Sequence, residues 1–220
     1  MEVKSKKYIW ISIYLLAAFA LWTILVSSLD IKPIGPNGSM VGFATINQYF
    51  HNLIGVNMLL YHITDWLSLI PILFVICFAI MGFTQMIHRK HILRVDPSIL
   101  ILGCFYILVV AAYMFFEIYT INYRPVLING KLESSYPSST TMLVMCVMPT
   151  SIIQLQSRIS SIKLRQWSTI LLMAYMIFMV TGRILSGVHW ITDIIGGVLL
   201  SSGLVLLYYG NYAQLTKHNV

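Results

Sequence analysis

Long apolar runs set the strongest limit on how this chain can fold. A bilayer-spanning helix needs about 20 mostly apolar residues, and six segments meet or approach that length. They cover residues 8–29, 63–85, 97–118, 139–155, 167–181 and 188–209. The chain is 58% hydrophobic and only 10% charged, whereas soluble domains carry about 25% charged residues. The sequence therefore predicts an all-α bundle of six transmembrane helices, with residues 1–220 as one integral membrane domain.

Basic residues between the apolar runs predict the orientation of the chain. Lys and Arg favour the cytoplasmic side of a membrane, and ten of the fourteen fall on one side of the predicted spans. These ten are Lys4, Lys6, Lys7, Arg89, Lys90, Arg94, Arg158, Lys163, Arg165 and Lys217. We therefore expect a multi-pass protein of the plasma membrane with both termini in the cytoplasm. Short basic clusters of this kind are topology signals, and they do not form the stripe that nucleic acid would need.

Three segments are then predicted on the outer side, and the first is the longest. Residues 30–62 open with a proline- and glycine-rich loop. They continue with apolar residues that share one helical face. These residues are Phe43, Ile46, Phe50, Leu53 and Ile54. This pattern predicts a short helix that lies at the membrane interface or re-enters the bilayer.

His189 and Asp193 are the strongest sign of chemistry, because ionisable residues at membrane depth are costly. Their four-residue spacing at the start of the sixth span predicts that they share a helix face. A carboxylate can hold an imidazole in one tautomer and leave its other nitrogen free to attack. Arg183, just before this span, can bind an anion. The same pair also fits a simple helix cap at the interface.

Two further outer segments fit phosphate binding. Arg124 stands between Tyr123 and Pro125, which suits anion recognition, although a lone interfacial arginine can also reach lipid headgroups. Residues 136–141 open the fourth span with hydroxyl side chains. A helix N-terminus offers free N–H groups to an anion, although a simple cap has the same pattern. Taken together with His189, these segments predict a phosphate-binding site that contains a nucleophile.

The order of these residues resembles the type 2 phosphatidic acid phosphatase superfamily, the lipid phosphate phosphatases, which also includes the vanadium haloperoxidases. That family carries the motifs K-x6-R-P, P-S-G-H and S-R-x5-H-x3-D in this order. Arg183, His189 and Asp193 match the third motif with the family spacing, and Gly182 replaces its serine. The motif match starts at Glu117, and the six-span layout extends the resemblance over most of the chain.

The resemblance implies a role for each matching residue. His189 would attack phosphorus to form a phosphohistidine, and Asp193 would orient the imidazole. The phosphoryl oxygens would be held by two arginines and by the hydroxyl-bearing residues that open the fourth span. These phosphate-binding residues are Arg124, Arg183, Ser138, Ser139 and Thr140.

Two positions depart from the family pattern. Glu117 stands where the first motif has lysine, so an acid replaces a cation. Thr140 stands where the second motif has a histidine that would protonate the leaving group, and threonine cannot act as an acid near neutral pH. Lys131 is a candidate for the missing charge, although its place in the loop favours a solvated lysine. Tyr123 is a further accessory candidate.

These inferences predict a hydrolase that removes phosphate from a lipid phosphate or lipid pyrophosphate at the outer face of the membrane. A polyprenyl pyrophosphate is favoured, because its leaving group departs as a stable anion without an acid. No metal or cofactor is required, since arginines and helix N–H groups neutralise the phosphoryl charge. The partners expected are this substrate and membrane lipids, without nucleic acid.

Three other functions share parts of this pattern. A non-catalytic lipid-phosphate binder remains an alternative, because such a protein could keep the anion site after losing turnover. A lipid transporter is disfavoured because the spans are nearly free of charge at mid-depth. A haloperoxidase is disfavoured because lipid-embedded spans suit a lipid substrate better.

The remaining polar residues carry weaker predictions. His62 and Asp65, near Trp66, favour an interfacial cap, with a contact to the site or to a headgroup as the alternative. The histidines predicted in the cytoplasm are expected to be solvated, namely His88, His91 and His218. The cysteines lie in apolar runs without paired spacing, which predicts packed thiols rather than a disulfide or metal framework. They are Cys77, Cys104 and Cys146.

Overall fold

The computed structural model describes residues 2–218, with side chains for residues 5–215. The side chains of Lys4, Lys217 and His218, which entered the predictions above, lie outside this part. The described residues form eight α-helices joined by turns, 3-10 segments and isolated backbone bridges. The helices are α1 Glu2–Ser28, α2 Ala44–Ile54, α3 Met58–Leu67, α4 Leu69–Arg89, α5 Pro97–Ile118, α6 Ser139–Arg158, α7 Ile162–Leu185 and α8 Ile191–His218.

Five helical segments of the described chain are long and apolar enough to cross a membrane, which confirms a multi-pass, all-α membrane protein. They are Ser5–Ser28, Met58–Arg89, Pro97–Ile118, Ile162–Leu185 and Ile191–Leu215. Helix α6 lies where the fourth span was predicted, but it does not reach this hydropathy. Its buried residues include Thr150, Ser151 and Gln154. A helix covered by its neighbours does not need an apolar surface on every side.

Helices α6 and α8 lie at the centre of the bundle, and α1 packs closely along α8. Ser5 and Ser12 donate hydrogen bonds to the carbonyl oxygens of Gly210 and Gly203 at 2.8 and 2.7 Å. A Cβ atom at Gly203 would lie 2.8 Å from the side chain of Leu16. Small residues let membrane helices approach closely, so these positions set the spacing between α1 and α8.

A proline separates α3 from α4 within one membrane segment. Pro71 has no N–H group to donate to the carbonyl of Leu67, four residues earlier. Tyr175 of α7 donates its hydroxyl to that carbonyl instead, at 2.8 Å. This contact holds α3, the N-terminal part of the segment, against α7.

The turn between α7 and α8 departs from the sequence prediction. Gly187 has a φ of +65°, and a Cβ atom there would lie only 1.9 Å from the carbonyl oxygen of Gly55. This left-handed residue follows the end of α7, and the chain becomes helical again only at Ile191. The expectation that His189 lies on a helix face with Asp193 is therefore wrong, since His189 lies in the turn before α8.

Helix α2 occupies the part of the first outer segment where a short helix was predicted. It is tied to the beginning of α8 by Asn47, which is fully buried. The Asn47 side chain donates to the hydroxyl of Thr192 at 2.9 Å and accepts from the Thr192 N–H at 3.3 Å. These bonds hold the first outer segment against the turn that carries His189.

Candidate active site

The segment between α5 and α6 folds back on itself and brings two polar side chains to His189. Tyr123 and Ser134 form an isolated antiparallel bridge. On either side of it, the N–H of Arg124 donates to Glu133 at 3.0 Å, and the N–H of Ser135 donates to Asn122 at 2.9 Å. This short pairing places Arg124 and Ser135 beside the turn between α7 and α8.

The hydrogen bonds of His189 define its tautomer. Arg124 Nη1 lies 3.0 Å from His189 Nε2. Arginine can only donate, so Nε2 accepts and the ring proton is on Nδ1. His189 Nδ1 lies 3.0 Å from the hydroxyl of Ser135, which donates to Asp193 Oδ2 at 2.5 Å. The lone pair of Nε2 therefore faces the arginine side of the site.

Asp193 acts on the imidazole through Ser135 rather than directly. The distance from Asp193 Oδ2 to His189 Nδ1 is 3.8 Å, which is too long for a hydrogen bond. The carboxylate also accepts from the N–H of Trp190 at 2.9 Å and from the Asn122 amide at 3.3 Å. The bond to Trp190 caps α8 in the way an acidic residue at the third helical position does. Asp193 therefore caps α8 and is also linked to the imidazole by the hydroxyl of Ser135.

Burial and nearby cations keep His189 uncharged. The residue is only 5% exposed. Burial, followed by the positive charges of Arg124 and Arg183, holds the pKa of His189 well below its usual range. Only the neutral ring has an unprotonated Nε2, which is the form that can accept the hydrogen bond from Arg124.

The second arginine, Arg183, is 1% exposed and enters the site from the end of α7. Its Nη2 donates to Asp65 Oδ1 at 3.0 Å and to Thr140 Oγ1 at 2.6 Å. Its Nε and Nη1 atoms have no hydrogen-bond partner among the described residues. Leaving buried donors unpaired is unfavourable, so this guanidinium is well suited to receive an anion.

One aromatic ring supports both arginines. The centroid of the Tyr61 ring lies 5.0 Å from Cζ of Arg183 and 6.0 Å from Cζ of Arg124. Tyr61 is itself buried. A guanidinium over an aromatic face is held by a cation–π interaction, so Tyr61 fixes the spacing of the two cations.

The beginning of α6 offers backbone donors to the same site. Ser138 precedes the helix, but its side chain does not cap it. Its N–H instead donates to the carbonyl of Asp193 at 3.0 Å, and its hydroxyl accepts from Thr141 at 3.0 Å. Without a side-chain cap, the first-turn N–H groups remain available to an anion. Ser139 is partly exposed and adjoins Thr140, which contacts Arg183.

Comparison with known proteins identifies the family at this point. Residues 68–217 match the PAP2 superfamily. The chain belongs to the PAP2 superfamily. This confirms the resemblance inferred from the three motifs.

The fold is also similar to a solved structure. That structure is described as the first transmembrane PAP2 type phosphatidylglycerolphosphate phosphatase from Bacillus subtilis. The TM-score is 0.57 and the sequence identity 19%, with 93% of this chain and 96% of that chain covered. The comparison with curated proteins gives no match. At this identity the likeness establishes the PAP2 membrane fold.

The accessory residues predicted around the PAP2 motifs lie apart from the arginines. Glu117 is exposed and lines a small cavity with Ser135, and it contacts neither Arg124 nor His189 among the described residues. Tyr123 contributes its backbone carbonyl, which accepts from the indole N–H of Trp190 at 2.7 Å. Among the described residues, neither of these two side chains therefore contacts Arg124 or Arg183.

The loop that carries Lys131 brings an acid to the PAP2 site instead of a cation. Lys131 is exposed at the tip of the turn, where its backbone pairs with Ile128. Glu133, two residues later, lies 3.1 Å from Nε of Arg124. The site therefore contains two arginines, each paired with a carboxylate.

Four PAP2-site residues were missed or undervalued in the sequence, namely Tyr61, Asp65, Asn122 and Ser135. Asp65 was assigned mainly to an interfacial cap, whereas the structure pairs it with Arg183. Its position as an acid near the start of a span was the available signal. Ser135 and Asn122 carry no such signal, because isolated Ser and Asn residues are common in loops.

Replacement of Ser135 by alanine tests the link that its hydroxyl makes between Asp193 and His189. We expect phosphate release to fall roughly 10- to 100-fold, because a buried hydrogen-bond partner is lost, at a cost of about 1–3 kcal/mol. The measurement is kcat of the purified protein. Ser134→Ala is the matched control, since the hydroxyl of Ser134 only reaches the carbonyl of Phe116 at 3.4 Å. Equal kcat values for the two variants would contradict a functional link between Asp193 and His189 through Ser135.

Proposed function

We propose that this PAP2 protein hydrolyses a lipid phosphate or lipid pyrophosphate and that His189 is its nucleophile. The observation that carries this proposal is the neutral imidazole whose Nε2 accepts from Arg124 while Nδ1 is held through Ser135. Binding an anion would need the arginines but not an oriented imidazole. This arrangement therefore favours phosphoryl transfer over simple binding.

The first half of the reaction follows from the same contacts. An entering phosphoryl group replaces the bond between Arg124 and His189, so that the guanidinium turns to an oxygen and Nε2 faces phosphorus. The Nε2–P bond forms, the bond from phosphorus to the leaving oxygen breaks, and the ring becomes positively charged. Ser135 and Asp193 stabilise that charge through Nδ1–H. Arg183 and the N–H groups of α6 neutralise the phosphoryl oxygens.

The proposed setting is the outer face of a plasma membrane. In this arrangement α6 is the fourth of six crossings and is shielded from lipid by its neighbours, and α2 lies at the interface. The distribution of Lys and Arg residues supports this orientation, with both termini in the cytoplasm. The site would then take substrate from the outer leaflet.

Cysteine labelling tests the orientation. A cysteine at Lys131, exposed beside the site, is expected to react with a membrane-impermeant reagent on intact cells. A cysteine at Lys90, exposed at the opposite end, is expected to react only after lysis. The unmodified chain, with its three native cysteines, gives the background. Labelling of position 90 on intact cells, with position 131 protected, would show that the orientation is the opposite of the one proposed.

The substrate proposal rests on Thr140. The leaving group of a phosphomonoester is an alkoxide, which needs a proton as it departs. General acid catalysis contributes about 10²–10⁴-fold to the rate of such a step. The leaving group of a lipid pyrophosphate is a lipid monophosphate, which is already a stable anion. A site without a histidine at this position therefore favours pyrophosphates, and a polyprenyl pyrophosphate is the proposed substrate.

The test compares kcat/KM on a lipid phosphomonoester and a polyprenyl pyrophosphate for wild type and Thr140→His. The introduced histidine is expected to help the monoester far more than the pyrophosphate. Thr140→Ala is the matched control, because it removes the hydroxyl that Arg183 contacts without adding an acid. A wild-type preference for monoesters that Thr140→His leaves unchanged would overturn the substrate proposal. Absence of release from a panel of both substrate types would favour the lipid-phosphate binder.

A further inference from the structure

Asp65 stands next to the position that lacks an acid–base residue. Its Oδ1 atom and the hydroxyl of Thr140 bind the same nitrogen, Nη2 of Arg183, at 3.0 and 2.6 Å. Asp65 comes from α3, far from the phosphatase motifs in sequence. Its side chain therefore adds a carboxylate beside the arginine that holds the phosphoryl group.

A departure from the third motif, at Gly182, explains how α3 comes so close to the end of α7. Gly182 occupies the position of the motif serine, and a Cβ atom there would lie 2.7 Å from Cγ2 of Thr64. Thr64 is fully buried and directly precedes Asp65. A serine at position 182 would push Thr64 away, so the glycine allows the approach of α3 that brings Asp65 to Arg183.

We propose that Asp65 accepts the proton of the water that hydrolyses the phosphohistidine, a step that rests on the proposed function. In this step the water oxygen bonds to phosphorus, the P–Nε2 bond breaks, and its electron pair returns to His189. The water loses one proton, which a carboxylate oxygen of Asp65 takes up. Inorganic phosphate then leaves, and the proton passes to solvent.

The other acceptors near the site are less suitable. Asp193 is fully buried and separated from Nε2 by the imidazole ring and Ser135. Glu133 pairs with Arg124 rather than with the arginine beside Thr140. Asp65 has a side chain that is 54% exposed, and its Oδ2 atom has no hydrogen-bond partner within the described part of the chain. A water bound to Oδ2 therefore has both a proton acceptor and a path for the proton to leave.

The test uses Asp65→Asn in the purified full-length protein, with a prenyl pyrophosphate radiolabelled in its terminal phosphate. The amide oxygen can still accept from Arg183, so the first half of the reaction is preserved. Steady-state phosphate release is expected to fall about 10²–10⁴-fold, the usual contribution of a general base. Acid-labile label is expected to accumulate on His189. Hydroxylamine, a stronger nucleophile than water, is expected to discharge this label.

Controls separate the possible outcomes. Glu133→Gln removes the acid paired with the other arginine and is expected to show no accumulation of label. Loss of labelling together with release in Asp65→Asn would show that Asp65 only positions Arg183, and this would overturn the proposal. Unchanged release in Asp65→Asn would overturn it as well. Failure of the wild type to release phosphate from both this substrate and a lipid phosphomonoester would instead overturn the proposed function, and the role of Asp65 with it.

Discussion

Replacement of His189 by alanine is expected to abolish phosphate release from every lipid substrate that the wild type hydrolyses. In the described site the imidazole carries an unprotonated nitrogen, Nε2, which accepts from Arg124 and lies in the field of both arginines. Without it the covalent step has no nucleophile, and the remaining groups can only bind the anion. The measurement is inorganic phosphate released by purified protein in detergent under saturating substrate.

Asp193→Asn extends this prediction. Loss of an orienting acid that bonds the imidazole directly costs about 10⁴-fold in kcat. Because Asp193 reaches the ring through Ser135, we expect a loss between that of Ser135→Ala and this value, with a small residual rate. His91→Ala is the matched control, because His91 is exposed at the opposite end of the bundle. Full activity in His189→Ala would end the phosphohistidine proposal, whatever the Asp193 variant does.

Arg124→Ala is also expected to lower kcat/KM strongly. Arg124 is 9% exposed and contacts both His189 and Glu133. The loss of a desolvated charge pair, here the one expected between Arg124 and the phosphoryl group, costs roughly 2–5 kcal/mol, which we expect to appear in kcat/KM. Arg124→Lys is expected to recover only part of the loss, because a point charge cannot reproduce the planar fork of a guanidinium.

The control for this variant is another cation at the same end of the bundle. Lys32 is exposed and pairs with Asp30 at 2.8 Å, away from the contacts that hold His189. Lys32→Ala is expected to leave kcat/KM close to that of the wild type. If Arg124→Ala behaved in the same way, Arg124 would serve only to anchor its loop.

The sequence predicted best what depends on local pattern. The apolar run at 97–118 became α5 with those bounds, because Asp96 caps a helix that begins at Pro97. The spacing of Arg183, His189 and Asp193 also sufficed to identify the family. The start of α8 was placed too early, since the left-handed Gly187 lies outside what apolar periodicity reports.

Contacts between distant segments were beyond sequence reasoning. Arg183 and Asp65 are 118 positions apart, and their contact depends on how Gly182 lets α3 approach α7. Ser135 and Asp193 are 58 positions apart, and their bond depends on the pairing within the segment that follows α5. In both cases the contact depends on tertiary packing around a polar group. The sequence positions of the two residues in each pair do not indicate that they are partners.

The stereochemistry of the reaction at phosphorus tests the central claim most directly. Each in-line displacement inverts the configuration of a phosphoryl group, so transfer first to His189 and then to water involves two inversions. With a lipid pyrophosphate made chiral at its terminal phosphorus by oxygen isotopes and sulfur, the account predicts net retention in the released thiophosphate. Net inversion would mean that water attacks the substrate directly, and it would contradict the assignment of His189 as the nucleophile.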